Sequence, residues 1–229
     1  MSRLFPLVFI VSLLLILESC NRNPNPEGII PSYHISYDVN YRDYMAGDIP
    51  TKLLPKTLDA YYTRHHVRTE IKGFMNQFSL VLIADLKQRR VYTLLSFFGT
   101  DVYYRGEPGE LPAGISDPGD LNMRYTGDTI RIGGLLSERI RVSSDKGEYD
   151  IYATEDFNSR KPNLCTPFRQ VQYPLTHFDV KLSYLDMELI CNEFTSENIE
   201  ANLFIIPDSY KAVNRENMET IINNLFTND

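Results

Sequence analysis

The sequence predicts a mainly β, α+β fold: a strongly curved antiparallel sheet of about ten strands, a short plugging helix and a C-terminal helix. Three observations predict it. Successive short segments alternate apolar and polar residues with period two and are rich in Val, Ile, Tyr and Phe, the pattern of strands. The polar breaks between many of them are too short for a parallel crossover, which needs a dozen or more residues, so neighbours must be antiparallel. Residues 78–98 are apolar on both faces, whereas a half-exposed sheet would alternate. Something must therefore cover each side of the sheet's centre.

The chain begins with Arg3 and an apolar run from Leu4 to Leu17 of about 14 residues. That is shorter than the roughly 20 residues a membrane-spanning helix needs, and it reads as a signal peptide over residues 1–19. The run ends at Leu17-Glu18-Ser19-Cys20, which resembles the lipobox read by bacterial prolipoprotein-processing enzymes, with Glu18 departing from the small residue usual there. The resemblance implies that Cys20 becomes the first mature residue and carries acyl chains, so the membrane is reached through lipid on Cys20. An uncleaved signal, or ordinary cleavage near Ser19, are the alternatives. Asn, Pro and Gly then dominate, and residues 20–32 read as an extended linker ahead of a single domain over residues 33–229.

Tyr33, Ile35, Tyr37, Val39 and Tyr41 alternate with smaller or polar residues and predict the first strand. Over residues 48–62, Leu53, Leu54 and Leu58 fall on one helical face, with Pro50 suited to a first turn and Pro55 limiting the length. This predicts the short plugging helix. A meander follows over 67–74, 78–87, 91–98 and 101–105. Residues 106–120, broken by prolines and glycines, form a long loop, either a functional lip or disordered. Strands resume at 122–126 and 129–132; Gly133-Gly134 permits a bulge or a close backbone approach. Strands at 136–143 and 148–154 flank a hairpin turn at Asp145-Lys146-Gly147. After a second loop, 157–172, alternation returns over 177–192 with a phase shift at Tyr184-Leu185, and a last strand runs from 199 to 205. Asn214 is placed to cap a helix with Met218, Ile221, Ile222 and Leu225 on one face.

Roughly 210 residues beyond position 19, with 43 % hydrophobic residues and 23 % charged, suffice for one ordinary core. The net charge of −7 argues against a general nucleic-acid binder and against electrostatic adhesion to an anionic bilayer. Besides Cys20 there are only Cys165 and Cys191, which either pair in an exported compartment or remain free, Cys191 within a strand pattern that favours a buried thiol.

Five stretches carry a further resemblance: residues 78–86, 91–95, Glu110 to Ile115, Tyr149 to Glu155, and Phe204 to Val213 with the helix after it. Together they resemble an uncharacterised group of envelope lipoproteins similar in fold to the outer-membrane lipoprotein carriers (LolA-like). The chain departs from the group at Leu135, Ser137 and Glu138-Arg139. The resemblance implies a half-barrel whose concave apolar face is plugged by short helices. Attachment is expected at the outer membrane, facing the periplasm, because Asn21 and the few acidic residues just after Cys20 do not look like a surface-export signal. The resemblance also implies binding of an acyl chain or another hydrophobic ligand. The residues expected to line that cavity are Leu53, Leu54, Leu58, Leu82, Leu95, Phe97, Leu182 and Leu189. The alternative is a non-enzymatic interaction subunit of an envelope complex.

Nothing in the sequence points to catalysis, a metal or another cofactor. His65 and His66, near Arg64, Arg68 and Glu70, are adjacent, and adjacent strand residues point to opposite faces. His34 and His177 stand alone. Glu107, Glu110, Asp117 and Asp120 lack the alternating oxygen ligands of a calcium loop. No nucleophile elbow, phosphate loop or dinucleotide-binding glycine pattern is present.

Overall fold

The computed structural model describes residues 28–73, 77–157, 159 and 161–227. The predicted signal peptide, Cys20 and most of the predicted linker lie outside the described residues, as does the predicted end of a strand at Phe74.

The fold is mainly β, built on one large curved sheet that does not close into a barrel. Fourteen strands are described: β1 (Ile29–Tyr41), β2 (Met45–Ala46), β3 (Ile49–Pro50), β4 (Thr57–Tyr62), β5 (His66–Lys72), β6 (Phe78–Asp85), β7 (Arg90–Phe97), β8 (Thr100–Arg105), β9 (Asn122–Ile132), β10 (Leu135–Ser144), β11 (Gly147–Thr154), β12 (Leu175–Leu182), β13 (Leu185–Glu200) and β14 (Lys211–Ala212). One α-helix, α1 (Arg215–Asn224), lies near the C-terminus. Twelve strands form the sheet in the order β14-β8-β7-β6-β5-β4-β1-β13-β12-β11-β10-β9, and β2 pairs with β3 apart from it. Only β14 runs parallel to its neighbour, β8. The sheet thus exceeds the ten strands expected, partly because short pieces such as β14 carry no periodicity of their own.

The two longest strands hold the centre. β1 pairs with β13 from Ile29 to Tyr41, with a bulge between Ser36 and Tyr37, and with β4 on its other edge. β1 begins at Ile29, so residues 29–32 belong to the sheet and not to a linker; Ser32 is buried and donates to the Tyr62 carbonyl. The extra residue of the bulge, Asn192, lies in β13, while β1 keeps its period of two and sends Ile35, Tyr37 and Val39 into the core.

The doubly apolar meander is explained by two separate covers. On the inner face, Leu80, Leu82, Val91 and Leu95 join the main core. On the outer face, Val81, Ile83 and Leu94 form a second cluster beneath Phe204, Ile206 and Tyr210. The chain leaves β13 at Glu200, turns through a 3-10 segment (Ala201–Phe204) and crosses this outer face, so the predicted last strand over 199–205 is a strand only to Glu200. Arg68 fixes the crossing by donating to the Leu203 carbonyl at 2.9 Å. The chain then adds β14 to the sheet edge and returns to the inner side as α1, where Met218 and Ile222 are buried. The Asn214 side chain caps α1 by accepting from the Asn217 amide at 2.8 Å.

Both long loops are packed. Residues 106–121 bury Leu111, Ala113, Ile115 and Leu121 and are tied to α1 by Glu110, which accepts from Tyr104 and Arg215. Residues 161–173 contribute Leu164, Cys165, Phe168 and Val171 to the inner core, partly through a 3-10 turn at Pro162–Cys165. Between β9 and β10, Gly133 has a positive φ, and an added Cβ would collide with Sγ and the carbonyl of Cys191. That close approach requires glycine. Cys165 and Cys191 are both free and buried, so no disulfide joins them.

The predicted plugging helix over 48–62 is not formed. Its residues make the β2–β3 hairpin, a 3-10 turn at Thr51–Leu53 and then β4. The leucine spacing that suggests a helical face is outweighed by pairing: Ala60 and Leu58 are opposite Ile35 and Tyr37 of β1, and the Val39 amide donates to the Lys56 carbonyl. Pro55 also lacks the amide a continuing helix would use.

Candidate functional site

The inner face of the sheet encloses two adjoining apolar cavities that share Ile71, Leu80 and Leu182 in their walls. The smaller, of about 60 Å³, lies between β1, β4, β5 and β6 on one side and β12, β13 and the Pro162–Cys165 turn on the other. Leu58, Leu82, Leu182 and Leu189 line it. The larger, of about 220 Å³, has Phe78, Leu95 and Phe97 on its sheet wall. Ile49, Leu53, Leu54 and Pro55 close one side, and Ile222, Leu225 and Phe226 the other. All eight leucine and phenylalanine residues expected from the sequence therefore line one chamber or the other. The 49–55 segment covers the cavity in the place foreseen, but in a different conformation.

Alternation explains the sheet-borne members of the lining. In β6 and β7 the side chains at 80, 82 and 95 face inward while 81, 83 and 94 face the outer cover. The larger chamber reaches the ends of the strands through Ile71, Phe78, Phe97, Leu182 and Leu185. Leu53 there is 69 % exposed although it lines the chamber, and Phe98, 70 % exposed, sits at the β7–β8 turn with a φ of 45°. The Asp48 amide donates to the Phe226 carbonyl at 2.7 Å, so a backbone bond joins the covering segment to the residues just after α1.

No charged side chain lines the larger chamber among the described residues. The Tyr41 hydroxyl donates to the Pro55 carbonyl at 2.6 Å, satisfying the one side-chain polar atom there. Deeper in, the Tyr37 hydroxyl donates to the Leu175 carbonyl at 2.6 Å and lies 3.0 Å from that of Tyr62. Burial pushes both phenols above their ordinary range, and pushes the Cys165 thiol up to about 12. These groups hold their protons at neutral pH. What the chamber offers is apolar contact.

Most of the other residues considered for chemistry have a structural partner. His34 is 2.9 Å from Asp59 and stacks on Tyr61; His177 is 3.0 Å from Glu188. Burial lowers the His66 imidazole, which stacks on Phe204. Arg68 and Glu70 form an ion pair at 3.2 Å. Of the loop carboxylates, Glu110 holds Arg215, while Glu107 and Asp117 lie within 4 Å of Arg90 and Arg169. Among the described residues no three His, Cys, Asp or Glu side chains converge as a metal site, and no helix is long and apolar enough to cross a membrane. Sequence reasoning missed Tyr41, Ile49 and the α1 residues of the lining. Ile222 and Leu225 were legible as an apolar helix face, but not as a cavity wall.

No family model matches the chain, and no curated protein matches it. Solved structures of PNGF-II are similar in fold: one in a C2 crystal form has a TM-score of 0.54 and 10 % identity, covering 84 % of this chain and 33 % of that one. A P21 form gives a TM-score of 0.52 at the same identity and coverage. The chain thus spans about a third of the length of those structures, and at this identity the likeness concerns the fold alone.

Proposed function

We propose that this protein is a lipid-anchored envelope protein that binds a hydrophobic ligand, most simply an acyl chain, inside a half-barrel. In this reading it is a carrier or sensor of lipid or lipoprotein with a fold akin to the LolA-like carriers. Acylated Cys20 attaches it to the outer membrane on the periplasmic side, and it performs no chemistry of its own. The observation that supports ligand binding is the uncharged 220 Å³ chamber with partly exposed Leu53 at its cover. An apolar cavity of roughly 150 Å³ is enough to admit benzene, so this one has room for several methylene groups. Each buried methylene contributes about 0.8 kcal/mol, so a chain of modest length would bind measurably.

The test is uptake of a fluorescent fatty acid by the full chain, together with native mass spectrometry of the purified protein. Saturable uptake of one ligand per chain is expected, and Leu54→Trp, which fills the chamber from its cover, should weaken it at least tenfold while the fold persists. No uptake by the unaltered protein, or undiminished uptake by Leu54→Trp, defeats the carrier reading. Intact mass of membrane-extracted protein should show acyl chains on Cys20; an unmodified Cys20 defeats the anchoring.

A second reading, an interaction subunit of an envelope complex, draws on the free edge of the sheet. β9 is the terminal strand; Ile130 on it is 47 % exposed, and Leu136 of β10, which pairs with Arg131 and faces the other side of the sheet, is 44 % exposed. An unpaired edge of this kind is a template for strand addition. Crosslinking in envelopes that yields one stoichiometric protein partner through β9 would favour it.

A further inference from the structure

We propose that the end of the sheet at which the chain enters β1 is a docking surface for the anionic headgroups of a phospholipid bilayer. The β4–β5 turn, the β6–β7 turn and residue 161 meet there around a basin of about 280 Å³ lined by Arg64, His65, Leu86, Lys87, Arg89 and Lys161. The Leu86 amide donates to the His65 carbonyl and the Ser159 hydroxyl to that of Thr63, so the three segments are bound to one another. Arg64, Lys87, Arg89 and Lys161 are exposed, and among the described residues none of the four forms an ion pair. By contrast Arg42, Arg68, Arg139 and Arg215 are each held by a carboxylate. The Asp85 carboxylate at the same turn accepts from the amides of Lys87 and Gln88, and Glu107 lies 3.7 Å from Arg90. The net charge of −7 argues against adhesion of the whole surface to an anionic bilayer, and four cations without an ion-pair partner make this rim an exception to it.

Two further features select a bilayer. Arg89 and Lys161 both adopt positive φ, at 55° and 54°, a conformation that is disfavoured for residues other than glycine. That backbone presents basic side chains where glycine or asparagine would be easier. The basin also adjoins a second depression, sharing Arg64 and His65, whose other walls include Ile30, Phe204 and Ile205. Ile205 there is 43 % exposed, and Ile29, next to the wall residue Ile30, is 73 % exposed. Basic residues beside exposed aliphatic ones are the composition of a surface that sits in the headgroup layer. The position fits as well, because the chain reaches β1 at this end from its N-terminal apolar run. The larger chamber lies toward the other end of β1, beside Tyr41, and 13 residues of strand span about 40 Å. Docked this way, the protein turns its apolar chamber away from the bilayer that holds it.

The proposal is independent of the cavity and of acylation: ligand uptake can fail while headgroup binding holds. The test uses the full chain carrying Cys20→Ala, so that its apolar run contributes equally throughout, and compares flotation with phosphatidylcholine vesicles against vesicles containing phosphatidylglycerol. Stronger partition onto the anionic vesicles is expected, weakening with added salt. Lys87→Gln should lower that preference about fivefold, the typical effect of one basic residue near a charged surface. Reversing Arg64, Lys87, Arg89 and Lys161 to Glu should abolish it, whereas Lys146→Glu, in the β10–β11 turn, should not. Equal partition onto both vesicles overturns the proposal, as does a preference that survives the fourfold reversal. Binding of inorganic phosphate or of duplex DNA without any vesicle preference also overturns it, assigning the basin to a soluble anion.

Discussion

Tyr37 shows how one polar atom in the core is held by distant parts of the chain. Its hydroxyl has one proton, and the 2.6 Å contact with the Leu175 carbonyl uses it. The 3.0 Å contact between the two phenols must then be donated by Tyr62. Tyr37→Phe leaves a buried carbonyl and a buried hydroxyl unpaired, each at a cost of about 1–3 kcal/mol. Tyr62→Phe removes only its own donor and should cost clearly less. Urea denaturation of the two variants checks this, and equal losses would mean that the direction of the phenol pair is wrong. The alternation of β1 already marks Tyr37 as an inward position. Its acceptor lies 138 residues away, and no local pattern records such a pairing.

At the scale of elements, the C-terminal segment that crosses the outer face is the part least visible beforehand. The doubly apolar meander requires a cover, but a short run with Phe204, Ile206 and Tyr210 has no period that distinguishes it from a strand. Phe204→Ala should uncover Val81, Ile83 and Leu94. Because Phe204 is half-buried, the loss should fall below the roughly 3–5 kcal/mol of a fully buried phenylalanine, at about 1–3 kcal/mol. Thermal unfolding measures it, and a change within about 0.5 kcal/mol, the range of ordinary surface substitutions, would show the cover to be dispensable. Helix α1 was legible by contrast, since Asn214 and the spacing of Met218, Ile221 and Ile222 are local signals. Residues 48–62 carried a similar spacing and misled, because strand pairing with β1 outweighs a weak helical preference interrupted by Pro55.

For the whole molecule, the single sheet and the single inner core have a thermodynamic consequence. β1 is paired on both edges, and the main cluster extends from Leu80 and Leu95 on one side of it to Ile140 and Ile151 on the other. Neither half keeps its core without the other. Urea unfolding should therefore be one cooperative transition, with far-UV circular dichroism and tyrosine fluorescence sharing a midpoint. Separate midpoints would show that the two flanks of β1 unfold independently. The sequence alone determines the β class, the inward and outward faces of most strands, the cap of α1, the apolar composition of the cavity wall and the lipobox-like segment before Cys20. Those are properties of neighbours along the chain, where side-chain period and capping chemistry act. Only the tertiary structure decides that β1 lies beside β13, which segments cover the two faces, where a chamber remains, and that four cations from separate segments meet at one end. These depend on closing long loops and on burying both faces of one curved sheet together, and no window of sequence contains that competition.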